Sequence, residues 1–244
     1  MSKHNPFKEL HDSIQGNSNL YRIIEESIPL SVQTAYFKLS NKIRTDAHAF
    51  EFDLWRELLF DSGVDNERKK RILVLLAASK EITAFRLLEK YAEVAEGELV
   101  YWAALALLEV RVQIESDILG EQPVIVASGL GGKENKLRFF VVLAMAGEAE
   151  FSDYQEKMLE REFSFYAKKC DCDIEEIRIH SNYATVIALI PIELEKPGLL
   201  FDKVIAECNS YGNFLREDYV LTNVRILSDS EIRRTLSRIN SDNR

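Results

Sequence analysis

Between residues 66 and 119 the apolar positions follow the period of amphipathic helices, and the pattern recurs. Asp65-Asn66-Glu67 precedes the apolar run from Ile72 to Ala77, and Glu96-Gly97-Glu98 precedes a second run from Ala103 to Leu108. The interval of about 31 residues fits one helix-turn-helix unit. The pattern predicts helices over 66–78, 81–95 and 98–118. Their joints, Ser79-Lys80 and Glu96-Gly97, are short enough to hold neighbouring helices antiparallel. Upstream, Leu20, Ile23, Ile24 and Ile28 predict a helix ended by Pro29. Val32, Ala35, Tyr36, Leu39 and Ile43 predict a second, capped by Ser31. Phe50, Leu54, Trp55, Leu58 and Leu59 predict a third, capped by Asp46 and leaving at Ser62-Gly63. Residues 1–17 read as a loose arm or a short helix.

The texture changes at Gly120 to Pro123, where the period shortens to two and β-branched residues appear. Strands are predicted at 124–126 and 137–145, with the glycine-rich turn Gly129 to Lys136 between them. A helix over 151–169 follows, with Phe151, Tyr154, Met158, Phe165 and Tyr166 on its apolar side. Then come strands at 174–180 and 183–192, a helix from Pro197 to Gly212, a strand at 219–227 and a short last helix. Tyr183 to Ile192 is apolar on both faces and reads as central. The chain divides into a helical part, 1–119, and an α+β part, 120–244.

Helix length, joint length and the matched pairs Trp55-Arg56 and Phe85-Arg86 make residues 46–118 resemble HEAT or armadillo-type helical repeats. An ordinary helix bundle is the rival arrangement. The order β-α-β-β-α-β across 137–228 resembles the ferredoxin-like fold, an antiparallel sheet with helices on one face. That resemblance leaves the strand at 123–128 without a place, because its hairpin with 137–145 would compete with the last strand for one edge.

Composition narrows the function. A net charge of -9 opposes the sign needed for non-specific nucleic-acid binding. The three cysteines, Cys170, Cys172 and Cys208, form no disulfide framework. Residues 1–16 lack the apolar core of a signal peptide, and no apolar run is long enough to span a membrane. A cytoplasmic protein is expected.

Four clusters carry candidate chemistry. Arg68-Lys69-Lys70-Arg71 opens a helix, where cations are disfavoured by the helix dipole unless something uses them. It is a candidate patch for phosphate or an acidic partner, against the plain reading of a solvated face. Gly131, Gly132 and Lys133 lie in a loop whose amides could hold an anion, although GLGGKEN lacks the spacing of a phosphate loop. The default for that loop is a mobile hairpin tip. Cys170-Asp171-Cys172 with His180 lacks zinc spacing and a second ligand pair. His48 and Glu51 lack partners on other helices and read as a surface ion pair.

No catalytic signature emerges, and no cofactor or metal is called for. The expectation is a non-catalytic protein-interaction or regulatory module with a protein partner, and a homodimer through the α+β part is a further candidate. The alternative is a small-ligand, nucleotide or RNA sensor acting through the α+β part. Phe139 and Phe140 are adjacent, so only one of them can face an open sheet surface, which counts against RNA stacking. A polar, open sheet face would favour the sensor; an apolar one covered by the helical part or by another copy would favour the interaction module.

Overall fold

The computed structural model describes residues 21–44, 51–120, 123–147 and 149–242. The chain divides into two compact units, with the division after Ala127.

In the helical unit, β1 (Tyr21–Ile23) leads to α1 (Leu30–Arg44), α2 (Phe52–Phe60), α3 (Asn66–Ala78), α4 (Ile82–Ala92) and α5 (Leu99–Leu119), and β2 (Val124–Val126) follows. Apart from the first, the periodic segments fold as helices, α3 where predicted to the residue; α1 begins at Leu30, so Ser31 lies within its first turn and is not its cap. The cap expected at Asp46 lies outside the described residues. The α5 helix is apolar around most of its circumference, and the packing uses this. It contacts α1, α3 and α4, and buries Leu99, Trp102, Ala103, Leu105, Ala106 and Val110. Gly120 ends α5 in the left-handed conformation at φ 70, the residue type best suited to that cap.

The helix predicted over Leu20 to Ile28 is instead β1, paired in parallel with β2 through Tyr21↔Val124 and Ile23↔Val126. Tyr21 and Ile23 are buried with Arg22 between them, a period-two pattern that a helical reading of so short a run mistakes. This pairing also places the strand at 124–126. It joins the helical unit, so the edge of the main sheet stays open to the last strand.

The α+β unit contains β3 (Gly132–Lys133), β4 (Lys136–Ala144), α6 (Asp153–Lys169), β5 (Asp173–Ile179), β6 (Tyr183–Pro191), α7 (Leu199–Ser210), β7 (Val220–Thr222) and α8 (Asp229–Asp242). The β4 strand pairs with β6 on one side and with both β3 and β7 on the other, and β5 pairs with the outer edge of β6. Every pairing in this sheet is antiparallel. The predicted strand at 219–227 is ordered into the sheet only over Val220–Thr222. The β4 and β6 strands are apolar on both faces and central, as their sequences require. On one face lie Val141, Leu143, Val186 and Ala188, all nearly free of solvent. On the other, Phe140, Val142 and Tyr183 pack with Leu130 and with Ile232 of α8.

α6 opens on a capping box between Ser152 and Gln155. Its buried side is Met158, Leu159, Glu162, Phe163 and Ala167, about a quarter of a turn from the side predicted. Tyr154 and Phe165, expected inside, are 64% and 48% exposed. The contact is made instead by Leu159, Phe163 and Ala167 beside the shared Met158.

Candidate interaction groove of the helical unit

α2 turns into α3 through a tight link. The Asp61 carboxylate accepts the Gly63 amide at 2.8 Å, and Asp65 then caps α3 by accepting the Arg68 amide at 2.9 Å. α2 buries Trp55 and Leu59 against the core, with Phe52 set edge-on to Trp55. Leu54 and Leu58 lie on its flank, Leu58 half-buried and Leu54 43% exposed. On α3, Arg68, Arg71, Ile72 and Leu75 fall at i, i+3, i+4 and i+7, one helical stripe. Together with Asp65 and Glu67 these residues line a cleft of about 510 Å³. Its floor is aliphatic and aromatic, and Arg68 and Arg71 stand exposed at its rim.

The basic run at 68–71 therefore separates into two pairs. Lys70 turns inward and spans Glu67 at 2.8 Å and Glu98 at 2.7 Å, with its ammonium 5.1 Å from the Trp102 ring centre. Burial pulls its pKa down, but the two carboxylates outweigh this and hold it above the usual lysine value. Lys69 is 9% exposed and packs its stem at the core edge. Arg68 and Arg71 have no carboxylate partner among the described residues. The sequence picked out the charges but not Leu54, Trp55, Leu58 and Leu75. The alternation of arginine and aliphatic residues along one α3 stripe was the available signal.

The glycine-rich loop belongs to the other unit and is built differently. Gly129 to Gly132 are buried, and only Lys133 and Glu134 stand exposed at the turn of the hairpin. Leu130 donates its amide to the Asn223 carbonyl at 3.0 Å, and the Gly131 amide donates to the Ser128 carbonyl at 3.4 Å. The Ser128 hydroxyl returns a bond to the Gly131 carbonyl at 3.0 Å. A Cβ on Gly129 would meet the Val224 carbonyl oxygen at 1.8 Å. Gly131 sits at φ 68 and Gly132 pairs with Leu137 in the β3–β4 hairpin. Amides of this loop thus hold the loop itself, and Lys133 alone of the three candidate residues is exposed.

The remaining candidates are structural. Cys172 and Cys208 are buried, and burial pushes both thiols up to about 12. His180 stacks on Tyr183 with centroids 4.3 Å apart. No group of three metal-ligating side chains occurs among the described residues. His48 lies outside the described residues. Phe139 and Phe140 are 5% and 4% exposed, one on each sheet face, so neither offers a stacking platform. No helix among the described residues is long and apolar enough to cross a membrane.

No protein-family model matches the chain, and no curated protein matches it. Among solved structures, one that is similar in part is a REP-associated tyrosine transposase bound to a REP hairpin, at 10% identity and a TM-score of 0.33. The match covers 39% of this chain and spans 61% of that one, and at this score it identifies neither the fold nor the function of the protein described here.

Proposed function

We propose that the chain is a non-catalytic protein-interaction or regulatory module that docks a protein partner through its helical unit. The observation that carries this reading is the groove between α2 and α3, an apolar floor rimmed by two arginines without carboxylate partners among the described residues. Apolar area in a concavity is stabilised when a partner removes it from water, and arginine at the rim adds directional bonds. The sheet counts against the sensor without itself pointing to a partner. The face that a sensor would use carries Phe140, Val142 and Tyr183, and it is apolar and packed against Leu130 and Ile232 of the same unit. The alternative of a small-ligand, nucleotide or RNA sensor finds no open face there.

The finer architecture is part of this proposal. The neighbour order β7, β4, β6, β5, antiparallel throughout, supports a ferredoxin-like α+β unit. The paired helices α2–α3 and α4–α5, with short joints, support helical hairpins of the HEAT type, although α5 also packs on α1 and α3. A cytoplasmic location, with three free cysteines, and a homodimer through the α+β unit belong to the same reading.

The test is affinity capture from the native host with the wild-type chain and with Leu54→Asp. Leu54 is 43% exposed, so the variant keeps the core intact. A protein retained by the wild type and lost from the variant is expected. Co-purified RNA or nucleotide, with no protein sensitive to the variant, overturns the proposal.

A further inference from the structure

We propose that the groove takes an acidic amphipathic helix of the protein partner, an inference that rests on the docking reading above. Three observations specify this occupant. First, the shape: the lining residues come from two consecutive helices joined by the 61–65 link, and the α3 contribution is a stripe at i, i+3, i+4 and i+7. A stripe from Arg68 to Leu75 runs about 10 Å, room for roughly two turns of a helix. Amides within α2 and α3 are committed to helical bonds, so an extended strand would find no sheet edge to join, whereas a helix needs only side-chain grooves.

Second, the charge. The chain carries 40 acidic residues against 31 basic ones, and among the described residues several exposed arginines find carboxylates, although Arg111, Arg233 and Arg234 do not. Arg56 meets Asp53, Arg86 meets Glu89, Arg161 meets Glu162 and Arg225 meets Glu231. Arg68 and Arg71, beside an apolar floor, do not. They sit one turn apart, about 5–6 Å between Cβ atoms, the separation that two carboxylates on successive turns of another helix would match.

Third, the two acids of the groove lining have other partners. The Asp65 carboxylate caps α3, and Glu67 holds Lys70. Neither forms an ion pair with Arg68 or Arg71, and the dipole of α3 gives no local reason to place cations in its first two turns. A partner carboxylate would be held in bidentate fashion by either arginine, with apolar side chains of the same helix on Leu54, Leu58 and Leu75.

The test selects a display library of amphipathic helices, randomised at the positions flanking a fixed apolar stripe, on the full-length chain. Winners rich in Asp and Glu one turn apart are expected. Their affinity should fall at least tenfold on Arg68→Ala/Arg71→Ala, weaken with rising salt, and fall on Leu54→Asp. Winners that compete at the groove but carry neutral or basic flanks overturn the acidic specification while leaving the docking reading in place. Absence of any winner sensitive to Leu54→Asp overturns both. A concentration-dependent increase in mass on sedimentation, removed by Leu54→Asp, overturns the inference in favour of a second copy of this chain.

Discussion

Replacing Gly129 with alanine tests whether the glycine-rich loop is packing or a site. The added Cβ would stand 1.8 Å from the Val224 carbonyl oxygen, 2.7 Å from its carbon and 3.0 Å from its Cα. All three are backbone atoms, so no side chain can rotate away. The two segments must part by about 1.6 Å to reach the 3.4 Å of ordinary contact. That movement breaks the Leu130–Asn223 hydrogen bond, 3.0 Å long, which is worth about 1 kcal/mol net. Overpacking adds about 1–3 kcal/mol. A loss of about 3 kcal/mol corresponds to roughly 10 °C in the melting of a unit of this size. Differential scanning calorimetry of the full chain reads it, with Lys133→Ala, exposed on the hairpin, as the control expected to change stability by under about 0.5 kcal/mol. Inorganic phosphate should leave the transition where it is. A Gly129→Ala melt within about 1 °C of wild type, or a phosphate-dependent rise, would refute the packing argument.

Other expectations follow from single groups. Glu109 is 2% exposed and accepts from Tyr36 and Ser40 at 2.7 Å each and from Gln113 at 3.2 Å; Glu109→Ala strands these donors and should cost about 3 kcal/mol, while Glu109→Gln, which keeps an acceptor oxygen, should cost clearly less in urea unfolding. Cys172 and Cys208, with thiols pushed up to about 12, should resist alkylation at pH 8 until the chain unfolds, and fast labelling of Cys208 in the native protein would contradict its burial. The Arg138 guanidinium, which forks onto Glu175, holds that carboxyl below its ordinary value. Its contribution to stability is therefore present above the unfolded pKa of about 4.3 and is lost as pH falls through the lower folded value. The stability gap between wild type and Glu175→Gln should close on acidification, and a gap that widens would reverse the assigned sign.

The sequence disclosed long-period structure better than short. α3 was legible to the residue because Asp65 caps it and an unbroken apolar run follows. β1 was not, because Tyr21–Ile23 is shorter than one helical turn and its parallel partner lies a hundred residues away at Val124–Val126. A pairing of that separation leaves no local mark. The face of α6 was misjudged because Tyr154 and Phe165 are large but need not be inside: Leu159 and Phe163 are fully buried while Tyr154 keeps its polar end in water. The basic run was visible as charge, and its division into inward lysines and rim arginines was not. That division depends on Glu98 and Trp102, both contributed by the next helical hairpin.

The most direct measurement of the central claim is site-specific photo-crosslinking from position 54 in the native host. Replacing Leu54 with a photoreactive aromatic residue places the probe on the exposed flank of α2 beside the groove. The account predicts a discrete protein adduct above the 28.0 kDa of the chain, lost when Arg68 and Arg71 are changed to glutamate. An adduct that nuclease removes, or one indifferent to the arginines, would contradict it.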